Sequence, residues 1–140
     1  TGAGVVLMAK LYMLDTNMAS YVIRGTFPGV LEKFSEHFPH LCISSITAAE
    51  LQFGAVRKGS KPLLEKVNAL CKLLPIKDWN FDSALKYGKL RAELEKNGTP
   101  LVSMDLLIAT SALAENAVLV TNNEAHFSQV KGLPLENWLG

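Results

Sequence analysis

Leu11-Tyr12-Met13-Leu14-Asp15-Thr16-Asn17 is the stretch that decides the fold. Four apolar residues run together and stop at a carboxylate followed by two small polar side chains. Successive side chains of a strand face opposite ways, so an unalternating apolar run describes a strand buried on both sides. That is the habit of a parallel sheet covered by helices. Such a strand delivers its last residue to the sheet's carboxyl edge, where open α/β folds hold their ligands. Asp15 therefore stands where a site would be, although an Asp in this place also serves as a turn former or helix cap.

Outward from this strand the chain alternates between strand-like and helix-like patterns. Asn17 to Ile23 reads as a helix ending near Gly25, and Pro28 opens another that runs to about His37. Leu41-Cys42-Ile43-Ser44 is a second short buried strand. Thr47 to Val56 follows as a helix stopped by Gly59. Lys61 to Leu73 is the next, with Leu63, Leu64, Val67 and Leu70 at helical spacing. Leu74-Pro75-Ile76 is a third strand that Pro75 consigns to an edge. Asp82 to Asn97 is the longest amphipathic helix, stopped by Gly98 and Pro100. Ser103 to Glu115 is an apolar helix rich in small residues, suited to lying close on a sheet. Ala117-Val118-Leu119-Val120 is a strongly buried strand, and Leu135 to Trp138 a last edge strand. Strands separated by helices imply right-handed crossovers. The expected fold is a three-layer α/β domain, a central and mostly parallel sheet flanked by helices.

Composition narrows the possible functions. A chain of 140 residues, 49% hydrophobic and 19% charged, is long enough to bury one sizeable core. Its net charge of +1 exerts no overall pull on nucleic acid. A polyanionic partner would need local basic patches or bound cations. Cys42 and Cys71 are too few for a disulfide framework, which suits a reducing cytoplasm. No apolar run approaches the ~20 residues of a membrane span. Residues 1–7 precede Met8 and lack the basic start of a signal peptide. They are expected to be an upstream extension or cloning remnant, leaving 8–140 as a single domain.

The acids can now be placed. Asp15 follows the first strand, and Glu50 is expected in the first turn of the helix after the second. Asp105 opens the helix that feeds the fourth strand, which Thr121-Asn122-Asn123 follows. In a parallel sheet all of these except Asp105 lie at the carboxyl edge by topology, and Asp105 joins them because its helix must begin on that side to feed the fourth strand from the opposite edge. Each also has a plain structural use. Thr47-Ala48-Ala49-Glu50 matches a capping box, Ser103 suits a helix cap with Asp105 in its first turn, and Asn123 suits a turn. Those uses explain the positions one by one but leave their convergence unexplained. Three carboxylates within a few ångströms repel by roughly 4 kcal/mol per pair at 4 Å and an effective dielectric near 20. A rim that gathers them is expected to hold cations, and an all-oxygen donor set suits Mg²⁺ or Mn²⁺ rather than zinc.

With the acids in place the chain resembles a known family, the PIN-domain ribonuclease toxins of bacterial type II toxin–antitoxin systems, called VapC. The resemblance rests on Tyr12-Met13-Leu14-Asp15-Thr16-Asn17, on Ile43-Ser44-Ser45-Ile46-Thr47-Ala48-Ala49-Glu50-Leu51 with Gly54 beyond, and on Lys89 to Leu94. It continues in Asp105-Leu106-Leu107-Ile108-Ala109, Leu119-Val120-Thr121-Asn122-Asn123 through Phe127, and Glu136-Asn137-Trp138. These pieces fall in family order and cover nearly everything from Met8 onward.

The resemblance implies a Mg²⁺- or Mn²⁺-dependent endoribonuclease. Asp15, Glu50 and Asp105 take the family's first three acidic positions, as catalytic residues and metal ligands. The fourth catalytic position, usually Asp, is Asn123 here. Asn17, Ser44 and Thr121 match the small polar positions that support such sites. The resemblance further implies a structured RNA substrate, with the anticodon loop of initiator tRNA the leading one. A VapB-type antitoxin that blocks the site and a homodimer are implied as well. Lys86, Lys89 and Arg91 on the long helix are candidate RNA contacts, with Arg57, Lys58 and Lys61 as a second group. Tyr21, Val22, Phe27, Phe34 and Phe38 are candidates for protein contacts. A phosphoacceptor receiver domain fits less well, because it needs an acid pair after its first strand and a Lys after its last. A catalytically silent binding module remains an alternative, should Asn123 mark a decayed site.

Overall fold

A computed structural model of the chain describes residues 10–139; the segment 1–7 set apart above lies outside the described residues. Five strands form one sheet: β1 (Leu11–Leu14), β2 (Leu41–Ser44), β3 (Ile76–Lys77), β4 (Ala117–Val120) and β5 (Leu135–Glu136). Their order is β3-β2-β1-β4-β5, and every pairing is parallel. Strands at Ile76 and Leu135 lie at the two edges, as Pro75 and the chain order predict. Seven α-helices connect them: α1 (Thr16–Arg24), α2 (Pro28–His37), α3 (Ser45–Lys58), α4 (Lys61–Leu73), α5 (Phe81–Lys96), α6 (Ser103–Ala114) and α7 (Glu124–Phe127).

The period of two within the central strands sorts the core into two layers. Met13, Cys42 and Leu119 point to one side, against Leu90 and Leu94 of α5 and Leu106, Ala109 and Ala112 of α6. Leu14, Ile43 and Val120 point to the other, against Met18 of α1, Val30 of α2, Leu51 of α3 and Val67 of α4. These six strand side chains are wholly buried, which makes each worth about 1.5–3 kcal/mol if aliphatic. Ala109 and Ala112 let α6 lie close to the sheet, the use expected of its small residues.

Register then fixes the rim. Leu14 pairs with Ile43 on one side and with Val120 on the other. One residue further along, Asp15, Ser44 and Thr121 form a single row at the carboxyl edge. They follow the phase of Met13, Cys42 and Leu119, so the row leans toward α6.

Several local expectations give way to the structure. The helix after β2 begins at Ser45, not Thr47, because the Ser44 hydroxyl accepts from the Ile46 amide at 3.1 Å and caps it. The capping box at Thr47-Glu50 is therefore not used. Thr47 lies inside the helix, wholly buried, and Glu50 falls in its second turn. Ser103 is likewise no cap: Val102 holds the N-cap position of α6 and supplies no side-chain bond. The four-residue α7 after Asn123 was not foreseen, being too short to carry a helical period. Among the candidate protein-contact residues, Tyr21, Val22 and Phe34 pack against the second core layer. Phe27 and Phe38 are more open, yet the barest large apolar side chains are Phe81 at 76%, Val56 at 66% and Phe53 at 64% exposure.

Candidate active site

Asp15 is held from both ends. Its amide donates to the Val120 carbonyl at 2.9 Å, extending the β1–β4 ladder by one residue. Its Oδ1 accepts from the Met18 amide at 2.8 Å, so the same carboxylate caps α1. Both readings of this residue are thus true together: it is a helix cap and it is the centre of the rim. Only 5% of Asp15 is exposed. Burial pushes its carboxyl above the ordinary carboxylate value. The Thr121 hydroxyl and the Met18 amide pull the other way without cancelling that rise, and the charges of Asp105 and Glu50 add to it. Thr121 is wholly buried, and its Oγ1 also accepts from the Asn123 amide at 2.9 Å.

Glu50 reaches the rim from α3 and is the acceptor of a short bond from Thr16 Oγ1, at 2.5 Å. Thr16 Oγ1 also lies 3.3 Å from Thr47 Oγ1. Two threonines thus tie the start of α1 to α3 and give the Glu50 carboxylate a fixed direction. Asp105, in the first turn of α6, faces His126 of α7, with Nε2 3.0 Å from Oδ2. That nitrogen is buried but lacks hydrogen-bond alignment, so the contact is a close approach of an imidazole to a carboxylate.

The structure therefore brings Asp15, Glu50 and Asp105 into one electrostatic neighbourhood. The other candidates divide. Asn17 is exposed at the rim beside Thr16 and Glu50. Ser44 does not face the cleft: it is wholly buried, caps α3 and shares a hydrogen bond of 2.8 Å with Ser111 of α6. Asn123 starts α7 through its backbone, whose carbonyl accepts from the His126 and Phe127 amides, while its amide side chain is exposed and caps nothing. Lys86 and Arg91 are engaged by acids on their own helix, Asp82 at 3.2 Å and Glu95 at 2.8 Å; Lys89 is exposed. Thr16, Thr47 and His126 are the site residues that reading the sequence missed as such. Thr16 adjoins Asp15 and Thr47 belongs to the Glu50 motif, whereas nothing local to His126 points to Asp105.

Donor chemistry fits a hard divalent cation. Carboxylates and hydroxyls gather around a buried Asp whose ionised form is disfavoured, and among the described residues no lysine or arginine forms an ion pair with Asp15, Glu50 or Asp105. Among the described residues no three acid, His or Cys side chains already enclose a common ligand point. Asp15, Glu50 and Asp105 are the residues that would hold such an ion.

Fold and rim together define the class, a PIN domain, and the family model of that description matches residues 12–133. More narrowly, the chain belongs to the VapC ribonucleases within that family. It is 40% identical to Ribonuclease VapC2 of Rickettsia felis, over 91% of this chain and 98% of that one. It is 34% identical to the tRNA(fMet)-specific endonuclease VapC of Salmonella typhimurium, over 91% of this chain and 97% of that one. Among solved structures, the DNA-bound VapBC complex from Salmonella typhimurium superposes with a TM-score of 0.86 at 35% identity, covering 93% of this chain and 99% of that one. The promoter-bound VapBC2 complex from Rickettsia felis gives 0.84 at 39% identity, over 91% and 98%.

Proposed function

We propose that the protein is a Mg²⁺- or Mn²⁺-dependent endoribonuclease toxin that hydrolyses a phosphodiester bond in the anticodon loop of initiator tRNA and is neutralised by a VapB-type antitoxin. The observation that carries the reading is the gathering of Asp15, Glu50 and Asp105 at one rim, where burial pushes the Asp15 carboxyl up and the charges of Asp105 and Glu50 add to that rise. A rim of that kind repels RNA unless a cation sits in it. Bound there, a divalent ion supplies water of lowered pKa and offsets charge on the scissile phosphate. The chain's own residues orient the site. Thr16 fixes the Glu50 carboxylate, the Met18 amide and the Thr121 hydroxyl fix Asp15, and His126 flanks Asp105.

The named relatives support the substrate and the partner: one is a tRNA(fMet)-specific endonuclease, and the superposed structures are VapBC complexes. Homodimerisation is part of the same proposal, with the bare Phe53, Val56 and Phe81 on α3 and α5 as its first place to look. Among the described residues no helix is long and apolar enough to cross a membrane.

The test is cleavage of total RNA and of purified initiator tRNA by the isolated protein, with and without Mg²⁺, followed by mapping of the new ends. The expected result is one dominant cut in the anticodon loop, abolished by a chelator and by the co-purified antitoxin. Cleavage that persists in chelator overturns the metal reading. Intact RNA under every metal condition favours the silent binding module.

A further inference from the structure

A cleft leaves the acidic rim between α1, α3 and α4. Thr16, Asn17, Ser20 and Glu50 line its inner end, and Arg24 and Lys58 line its outer end. The two cations are placed alike. Arg24 stands eight residues beyond Thr16 on α1, and Lys58 eight beyond Glu50 on α3. At 1.5 Å of rise per residue each is about 12 Å along its helix from the rim. Each sits in the last turn before a glycine with left-handed φ, Gly25 at 65° and Gly59 at 62°, so both helices stop and open the outer mouth.

These cations differ from those of α5. The ion pairs among the described residues are Lys77–Glu115, Lys86–Asp82, Arg91–Glu95 and His126–Asp105. Arg24 and Lys58 enter none of them, and both are exposed. A last-turn cation interacts favourably with the helix dipole, which explains one such residue on each helix. It does not explain why the pair flanks one cleft that begins at Glu50. Polar side chains within, cations outside and the apolar Ile23 and Leu63 along the wall make a groove for a single nucleic-acid strand, with charge for the backbone and apolar surface for sugar or base.

We infer that the α1–α3 cleft carries a single-stranded segment of the substrate RNA away from the cleavage point, with Arg24 and Lys58 contacting its phosphates. The inference rests on the ribonuclease reading and adds the path of the strand. A reach of about 12 Å corresponds to roughly three to four nucleotides of stacked strand, at 3.4 Å each. Lys86, Lys89 and Arg91 then lie off the main path, and of Arg57, Lys58 and Lys61 only Lys58 lines it.

The test has two arms. In the first, steady-state cleavage by the full chain is compared with Arg24→Ala, Lys58→Ala, the double variant, and Lys131→Ala as a same-charge control. KM is expected to rise several-fold in each single variant and further in the double, with kcat kept. The salt slope of kcat/KM should fall by ~1 for each phosphate contact removed. In the second arm, binding of a short single-stranded RNA is measured in an Asp15→Asn background, so that it does not depend on turnover. Loss of binding with Arg24→Ala and Lys58→Ala supports the path even if the wild type proves unable to cleave. Cleavage by the wild type with KM, salt slope and RNA binding all unmoved in the variants overturns the path and leaves the ribonuclease reading standing. The same overturning follows if the variants weaken only the antitoxin complex, which would give the cleft to the protein partner.

Discussion

Asp15 and the two helix acids, Glu50 and Asp105, serve one rim by different physical means. Asp15 extends a strand whose neighbours fix its backbone, and its carboxylate is nearly out of water. Glu50 and Asp105 project from helices; Thr16 steers Glu50 by a hydrogen bond, His126 only flanks Asp105, and the Asp105 side chain keeps 30% of its exposure. The charge cost of the site is thus concentrated in the residue that can least move or solvate itself. Adjustment is left to the residues that can. A site built so has one fixed carboxylate and two adjustable ones, and that difference orders what should happen when it is broken.

The largest effect is expected from Asp15→Asn. On the proposed metal-dependent mechanism Asp15 would be a ligand, and its loss should exceed the ~10–100-fold penalty usual for a residue that only supports one. Cleavage of RNA in saturating Mg²⁺ should therefore fall more than ~100-fold. Asn can still accept from the Met18 amide as an N-cap, so α1 is kept. Removing the buried charge should leave the metal-free melting temperature equal or higher. A variant that cleaves normally would break the contrast at its centre.

Glu50→Gln and Thr16→Val test the steered acid. Because Ser44 and not Glu50 caps α3, neither change should melt the helix. Glu50→Gln should lose most cleavage with an unchanged melting temperature. Thr16→Val keeps the carboxylate but frees its direction, and should cost ~10–100-fold in kcat/KM. Equal and negligible losses in both would mean that Glu50 is a surface acid. By contrast, Ser44→Ala should act on stability, by about 0.5–2 kcal/mol from the cap alone, with the hydroxyl of Ser111 left unpaired besides.

The pH dependence is smaller but specific. The folded-state value of Asp15 lies above the 3.8 of a free Asp, so the folded protein binds its proton more tightly than the unfolded chain does. Its contribution is full below 3.8 and is lost as pH rises through the raised value. Denaturant titrations of metal-free protein from pH 3.8 upward should show stability declining until the raised Asp15 value is passed. Asp15→Asn should flatten the decline, and so should Mg²⁺, which favours the ionised form. A decline that survives in Asp15→Asn would assign the slope to other groups.

Asn123 should matter least. Its side chain is exposed and caps no helix, so Asn123→Ala should cost less cleavage than loss of Asp15 or Asp105. Asn123→Asp adds a fourth acid near the rim, and a titration of cleavage against Mg²⁺ should then saturate at lower concentration. An unmoved titration together with a fully active Asn123→Ala would reduce the site to its three acids.

The sequence alone determined the elements whose burial recurs along the chain. Leu11 to Leu14, Leu41 to Ser44 and Ala117 to Val120 read as strands because each is apolar on both faces, and parallel topology then sent Asp15 and Thr121 to one edge. Helices such as Lys61–Leu73 were legible to the residue, since their spacing and their proline and glycine stops are local. What tertiary structure decided was pairing. Thr47 is the cap that local sequence favours, and the position fell to Ser44 because the buried row at the sheet edge places it there, bonded to Ser111, which is 67 residues away. Thr16 meets Glu50 across 34 residues, and His126 meets Asp105 across two elements, one of them a single helical turn. Arg24 and Lys58 share a cleft only because α1 crosses α3. Local patterns record which face of an element is buried; which side chains then touch depends on crossing geometry, and that is set by the packed whole.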